Sequence, residues 1–186
     1  GTLLSGTISQ DQEVDILPKG TTTKVRGIQS HNQAAQRAVA GQRTAVNLQG
    51  IEKDQISRGD TIVTKGFFTT TRNIDVSLSM LKQATRGIKT GSRIRFYNNT
   101  QESIGRAALV GTNELNPGDD GYVQFRLEQP VLIQHGERFI IRFYSPMETL
   151  GGGMVLDPHP KRHKTSTMAE SVKNLTVLEQ GSLEDK

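Results

Sequence analysis

The chain has 186 residues, 19 of them glycine, with no cysteine, no tryptophan and a net charge of +4. At 33% hydrophobic and 5% aromatic content a single large core is disfavoured, and two small barrels or sandwiches fit better. The missing cysteines exclude disulfides, thiolate metal sites and cysteine nucleophiles, and no apolar run approaches the roughly 20 residues of a membrane helix.

The first residues, Gly1–Ser5, carry neither a charged head nor an apolar run, so no secretory leader is expected there. A cysteine-free chain suits a reducing compartment, and a cytoplasmic location is expected. Alternation of apolar and polar residues then predicts strands over Glu13–Leu17, Thr44–Leu48, Ile74–Met80, Gly91–Phe96, Tyr122–Leu127 and Phe139–Phe143. Turn signals stand between them: Pro18-Lys-Gly20, Arg58-Gly-Asp60, Asn98-Asn99, Pro117-Gly-Asp-Asp120 and His135-Gly136. Short strands at this spacing indicate an all-β protein.

A faint internal repeat supports two modules. Gly41-Gln-Arg-Thr-Ala-Val-Asn-Leu48 and Gly118-Asp-Asp-Gly-Tyr-Val-Gln-Phe125 share one layout, as do Arg58-Gly-Asp60 and His135-Gly-Glu137, both pairs offset by 77 residues. Any two β-meanders have similar spacing, so chance resemblance is the alternative. The predicted domains are a barrel over 1–68, a second barrel over 69–157, and a tail over 158–186. In that tail Pro158, Pro160, Lys161, Arg162 and Lys164 predict an exposed basic linker. Met168, Val172, Leu175 and Leu178 then recur at helical spacing, with Gly181 as a C-cap, which predicts the first helix of a further domain.

Positive evidence for catalysis is absent from the sequence. It has no Gly-x-x-x-x-Gly-Lys-Ser/Thr phosphate loop. Gly151-Gly-Gly153 reads better as a backbone turn than as a phosphate cradle, because Met154-Val-Leu156 continues as a strand. His159 and His163 are four residues apart, like a metal pair, but the neighbouring prolines disfavour the helix such a pair needs. Asp119-Asp120 reads as a turn rather than as paired acids. Arginine is abundant in the strands: Arg26, Arg37, Arg43 and Arg58 in the first module, and Arg86, Arg93, Arg95, Arg106, Arg126, Arg138 and Arg142 in the second. Arginine suits phosphate contacts as well as surface ion pairs. The few aromatics do not predict a base-stacking platform.

Several motifs, in order, resemble a known family. Val25-Arg-Gly-Ile-Gln29, Ala40-Gly-Gln-Arg43, Ala45-Val-Asn-Leu-Gln-Gly-Ile51 and Ile56-Ser-Arg-Gly-Asp60 resemble the second domain of translational GTPases. Gly41-Gln-Arg43 and Asn47-Leu-Gln-Gly50 are most similar to selenocysteine-specific elongation factors. Glu137-Arg-Phe-Ile-Ile-Arg142, Tyr144-Ser-Pro146 and Thr149-Leu-Gly-Gly-Gly153 resemble the closing strands of that family's third domain. The tail is similar to the approach to its winged-helix region.

The resemblance implies two tandem β-barrels of the domain II/III type plus a short C-terminal helix. It implies a piece of a factor that delivers selenocysteinyl-tRNA to the ribosome at UGA codons. The messenger-RNA hairpin would be bound by further C-terminal domains, and GTP with its Mg by a separate GTPase domain, so this chain needs no cofactor. A structural or protein-binding module of another translational GTPase is the alternative. The family's first barrel strand would lie before Gly1, which implies an open barrel edge and a possible dimer through it. No membrane partner is implied. By resemblance, Arg43 takes the position of an asparagine that lines the amino-acid pocket of elongation factor Tu; the alternative is a surface ion pair. Gln29, His31 and Asn32 match the strand that brackets the terminal adenosine there, His31 alternatively being an ordinary turn histidine. Arg58 matches the Arg-Gly of the closing strand, as a tRNA contact or a structural salt bridge. The segment Tyr97-Asn-Asn-Thr100 departs from the histidine-bearing family pattern.

Overall fold

In a computed structural model, residues 1–30 and 33–181 are described. The chain divides into two compact units, Gly1–Thr69 and Thr70–Lys186. Among the described residues no helix is long and apolar enough to cross a membrane.

Among the described residues the first unit holds seven strands: β1 (Thr7–Ser9), β2 (Glu13–Leu17), β3 (Thr21–Ser30), β4 (Gln33–Ala35), β5 (Arg37–Val39), β6 (Thr44–Leu48) and β7 (Thr61–Thr64). The alternation in β2 sends Val14 and Ile16 inward, where they meet Val25 and Ile28 of β3, Leu48 of β6 and Ile8 of β1. The antiparallel sheet runs β4-β3-β2-β7, β6 also pairs β3, and β1 forms a ribbon with β5. In hydrogen bonding this sheet is open, and β7 has β2 as its sole strand partner among the described residues.

The second unit closes. Its strands are β8 (Thr71–Met80), β9 (Ile88–Lys89), β10 (Arg93–Asn98), β11 (Gln101–Val110), β12 (Glu114–Leu115), β13 (Asp120–Val131), β14 (Arg138–Phe143) and β15 (Thr149–Asp157). Six of them form a closed barrel in the order β10-β11-β13-β8-β15-β14, while β9 and β12 pair separately. Closure leaves no edge, which a lone six-stranded sheet would have to protect otherwise. Phe96, Phe125 and Phe139 fill the interior, with ring centroids 5.1–5.9 Å apart, amid Ile74, Val76, Ile94 and Ile141.

The repeat has a backbone counterpart. Gly41 and Gly118 precede β6 and β13 with φ of +87° and +89°. Gly59 and Gly136 precede β7 and β14 with φ of +100° and +81°. Four tight turns thus need the left-handed region, which glycine enters at least cost. The correspondence does not extend to burial at every position: Ile133 is buried, whereas Ile56, 77 residues before it, is exposed.

One sequence reading is corrected. Gly151-Gly-Gly153 is neither turn nor phosphate cradle; it lies within β15. A Cβ on Gly153 would sit 1.8 Å from the Ser77 carbonyl oxygen, and one on Gly151 2.3 Å from that of Ser79. The glycines let β15 close against β8. In the tail Lys161, Arg162 and Lys164 are exposed, while His163 is held to Asp75 of β8. After this segment, α1 (Met168–Gln180) packs Leu175 against Val110 and Leu156 on the barrel wall. Helical spacing revealed the apolar stripe, but its partner lies on strands distant in sequence.

Candidate nucleic-acid interface

On the first unit the antiparallel register places Gln29 of β3 directly opposite Ala45 of β6, and Ser30 opposite Thr44. Exposure alternates along the segment: Arg43, Ala45 and Asn47 face solvent, while Thr44 and Leu48 are buried. Gln29 is exposed too. Arg43 and Gln29 therefore stand as diagonal neighbours on one solvent face, a separation of about 7–8 Å between Cα atoms in a regular pair. Arg43 is held from its other side by an isolated bridge to Thr2, and the Gly1 amino group donates to the Thr44 carbonyl at 2.9 Å. Among the described residues Arg43 has no acidic partner, so the surface ion pair expected as its alternative is not formed there.

His31 and Asn32 lie outside the described residues. Arg58 does not join Gln29 and Arg43. It sits in the turn before β7, whose Thr61 pairs with Leu17, next to Ile16 and its partner Thr21 at the start of β3. Gln29 is at the other end of that strand. The salt bridge considered for Arg58 is absent among the described residues, because Lys19 takes Asp60 at 2.7 Å.

The second unit carries an array that sequence reading could not rank. Arg93 of β10 lies opposite Arg106 of β11, and Arg106 lies opposite Arg126 of β13. Arg95 of β10 lies opposite Arg142 of β14. These five share the outer barrel face, since their strand neighbours Ile94, Phe96, Phe125, Leu127 and Ile141 point inward. Like charges directly opposite one another destabilise a sheet. Part of that cost is offset by Glu128, 3.0 Å from Arg93, and Glu102, 2.6 Å from Arg95. The Glu102 carboxylate holds the Arg95 guanidinium still more firmly protonated than usual. Among the described residues Arg106, Arg126 and Arg142 have no ion pair, although Arg106 donates to the Gly91 carbonyl at 3.0 Å.

Aromatic rings pack against this array. The Arg93 guanidinium carbon lies 4.1 Å from the Tyr144 ring centre, and that of Arg95 5.1 Å. Arg142 lies 5.8 Å from the Tyr97 ring centre, and Arg86 4.4 Å from that of Phe143. Such stacking fixes the orientation of the flat cations. The only sequence signal was arginine at alternate positions of predicted strands; the register that aligns the strands is not local.

His163, one of the two tail histidines, bonds Asp75 at 2.7 Å. Among the described residues no group of three or more His, Asp and Glu is placed to hold a metal ion.

Comparison with known proteins follows the same division. Residues 1–63 match the family model for elongation factor Tu domain 2. Residues 73–162 match the model for the beta-barrel domain of the selenocysteine-specific elongation factor. The chain is 32% identical, over 158 residues, to the selenocysteine-specific elongation factor of Desulfomicrobium baculatum. The chain belongs to the selenocysteine-specific elongation factor family. That alignment covers 85% of this chain and 25% of the relative, so the chain spans about a quarter of that protein's length. As a family member it has an elongation-factor β-barrel in each matched region, and both arginine-bearing faces described above lie on them.

Proposed function

We propose that this chain is the tRNA-gripping part of a cytoplasmic factor that brings selenocysteinyl-tRNA to the ribosome at UGA codons. The observation that carries the reading is the solvent face shared by Arg43 and Gln29, in a chain of this family. Gln29 meets the terminal adenosine, with His31 and Asn32 following it in sequence, and Arg43 meets the esterified amino acid. Arg58, at the far end of β3, contacts the acceptor strand apart from that pocket.

The chemistry needed is discrimination of one atom. Selenocysteine and its precursor serine are carried on the same tRNA and differ at selenium versus oxygen. A selenol is a stronger acid than a thiol, so at neutral pH the side chain is largely an anion, whereas serine is neutral. A guanidinium beside the side chain favours the anion. A hydrogen bond to a charged group contributes about 1.5–3 kcal/mol, roughly 10- to 150-fold. Arg43 is exposed, which puts its effect at the lower end of that range until bound tRNA excludes water.

The arginine row of the second barrel grips the phosphate backbone of the same tRNA. Guanidiniums spaced one strand apart, about 4.8 Å, can bridge successive phosphates. GTP and Mg act in a separate GTPase domain. The sequence has no phosphate loop to hold them, so this chain alone neither binds nor hydrolyses GTP. Contact with the messenger-RNA hairpin likewise belongs to other domains.

The test is a titration of the chain with selenocysteinyl-tRNA and seryl-tRNA on one tRNA body at fixed salt, with Arg43→Ala in parallel. Tighter binding of the selenocysteine form, lost in Arg43→Ala, is the expected result. Equal binding of both forms by the native chain would remove the pocket and leave only an RNA-binding barrel pair. Absence of tRNA binding would overturn the reading.

A further inference from the structure

The segment that follows β15 crosses the outer wall of the second barrel beside the arginine row. On β13, Val123, Phe125 and Leu127 point into the barrel, so Gln124 and Arg126 point outward. Gln124 is nevertheless only 1% exposed. Its Nε2 donates to Asp75 Oδ1, directly opposite on β8, and to the Lys161 carbonyl, both at 3.0 Å. An amide nitrogen carries two hydrogens, so both are used, and one of them holds the tail. His163 is a second tie, its Nε2 lying 2.7 Å from Asp75 Oδ2. The third is apolar, Leu175 of α1 buried against Val110 and Leu156.

These ties leave the cations of the segment facing water. Lys161, Arg162 and Lys164 are exposed, and among the described residues none of them has an ion pair. The ten residues 158–167 hold these three cations and no acid. Acidic groups next to the segment are engaged on the wall. Asp75 meets Gln124 and His163, Asp157 accepts the His159 N–H at 2.8 Å, and Glu179 accepts from Ser77 Oγ and the Tyr122 hydroxyl. On α1 the exposed Glu170 and Lys173 offset one another.

The place of this charge follows from the register. Arg126 ends the row that runs from Arg93 through Arg106, and its partner on β8 is the uncharged Asn73. Gln124, where Lys161 is held, is two residues from Arg126 on the same face of β13, about 7 Å away in a regular strand. We propose that residues 158–167 form a docked basic strap that continues the arginine row, with Lys161, Arg162 and Lys164 binding the RNA phosphate backbone beyond Arg126, a role that rests on the tRNA-binding reading and extends its contact surface.

Phosphate is the partner that this chemistry fits. Residues 158–167 include no aromatic side chain, so the strap has nothing on which a base could stack. Lysine ammoniums and a guanidinium on long stems suit phosphate oxygens, and such contacts position the RNA without reading its sequence. Docking adds to the effect. A free basic chain loses backbone entropy when it settles on RNA, whereas the docked strap has already lost it in folding.

The experiment uses the full chain and seryl-tRNA, so that preference for selenocysteine does not enter. Affinity is measured over a salt series for the native chain and for Lys161→Ala, Arg162→Ala and Lys164→Ala combined. Loss of two to three phosphate contacts is expected to flatten the slope of log K against log salt by about 1.8–2.7, at about 0.9 per contact on duplex. A native slope in the triple variant would overturn the strap while leaving the tRNA-binding reading intact; absence of tRNA binding by the native chain would overturn both. Gln124→Ala with Leu175→Ala removes two ties and no charge. Where circular dichroism shows α1 lost and the barrel transition kept, affinity at fixed salt is expected to fall, and undiminished affinity would overturn the docked strap. Lysine acylation provides a readout without variants. Saturating tRNA is expected to protect Lys161 and Lys164 from an amine-reactive ester, and full reactivity of both in the complex would overturn the contact.

Discussion

Arg43 and Gly153 represent two opposite kinds of residue in this molecule. Arg43 is exposed and unpaired by acid among the described residues, so its replacement by alanine is expected to leave thermal unfolding within about 0.5 kcal/mol of native. The same substitution removes the preference for the selenocysteine form in the tRNA titration. Gly153 contributes no side chain, yet a Cβ there would meet the Ser77 carbonyl at 1.8 Å. Backbone on backbone cannot yield by rotating a side chain. Gly153→Ala is expected to cost at least the roughly 1–3 kcal/mol typical of overpacking, measured as a fall in the denaturant midpoint at constant slope. A Gly153→Ala chain as stable as native would show that β15 does not approach β8 this closely.

At the scale of elements, α1 and β7 are the parts whose attachment matters most. Leu175 is the apolar anchor of α1, in contact with Val110 and Leu156, and a Cβ on Gly111 would lie 2.6 Å from Val172 Cγ2. Leu175→Ala is expected to remove about 2–5 kcal/mol of docking energy. The helical circular-dichroism signal should then be lost while the barrel still unfolds in one cooperative transition. Loss of the barrel transition as well would mean that α1 is integral to the barrel. The outer edge of β7, Thr-Ile-Val-Thr, has no strand partner among the described residues and is β-branched throughout. Its Ile62 packs toward the core, so Val63 occupies the opposite face. If a second copy pairs along this edge, sedimentation at rising concentration will show a dimer, and Val63→Lys will abolish it, because edge lysine opposes strand addition. A strictly monomeric chain would exclude that route.

At the scale of the whole barrel, five arginines of the second unit form a register-aligned array on one outer face. Each phosphate neutralised contributes about −0.9 to the slope of log K against log salt on duplex, and about −0.7 on single strands. Arg106→Ala with Arg126→Ala is expected to flatten the salt slope for tRNA by one to two contacts, without altering the ratio between selenocysteinyl and seryl forms. Removing opposed like charges should leave stability unchanged or raised. An unchanged salt slope would move the backbone contact elsewhere, whereas a changed selenocysteine preference would join the row to the pocket.

The sequence by itself determined the all-β class, the positions of most strands and the helical stripe Met168-Val172-Leu175-Leu178, because alternation and turn chemistry are local. It also placed the four left-handed glycine turns, and ordered motifs carried the family. Three things were decided only by tertiary structure. Strand register set Arg93, Arg106 and Arg126 in one row and put Gln29 beside Arg43, since register depends on which strands meet. Barrel closure turned Gly151-Gly-Gly153 from an apparent turn into the tightest strand contact. Folding of the tail onto the wall brought His163 to Asp75, 88 residues away in sequence, because a buried carboxylate must find a donor and no local pattern records which one.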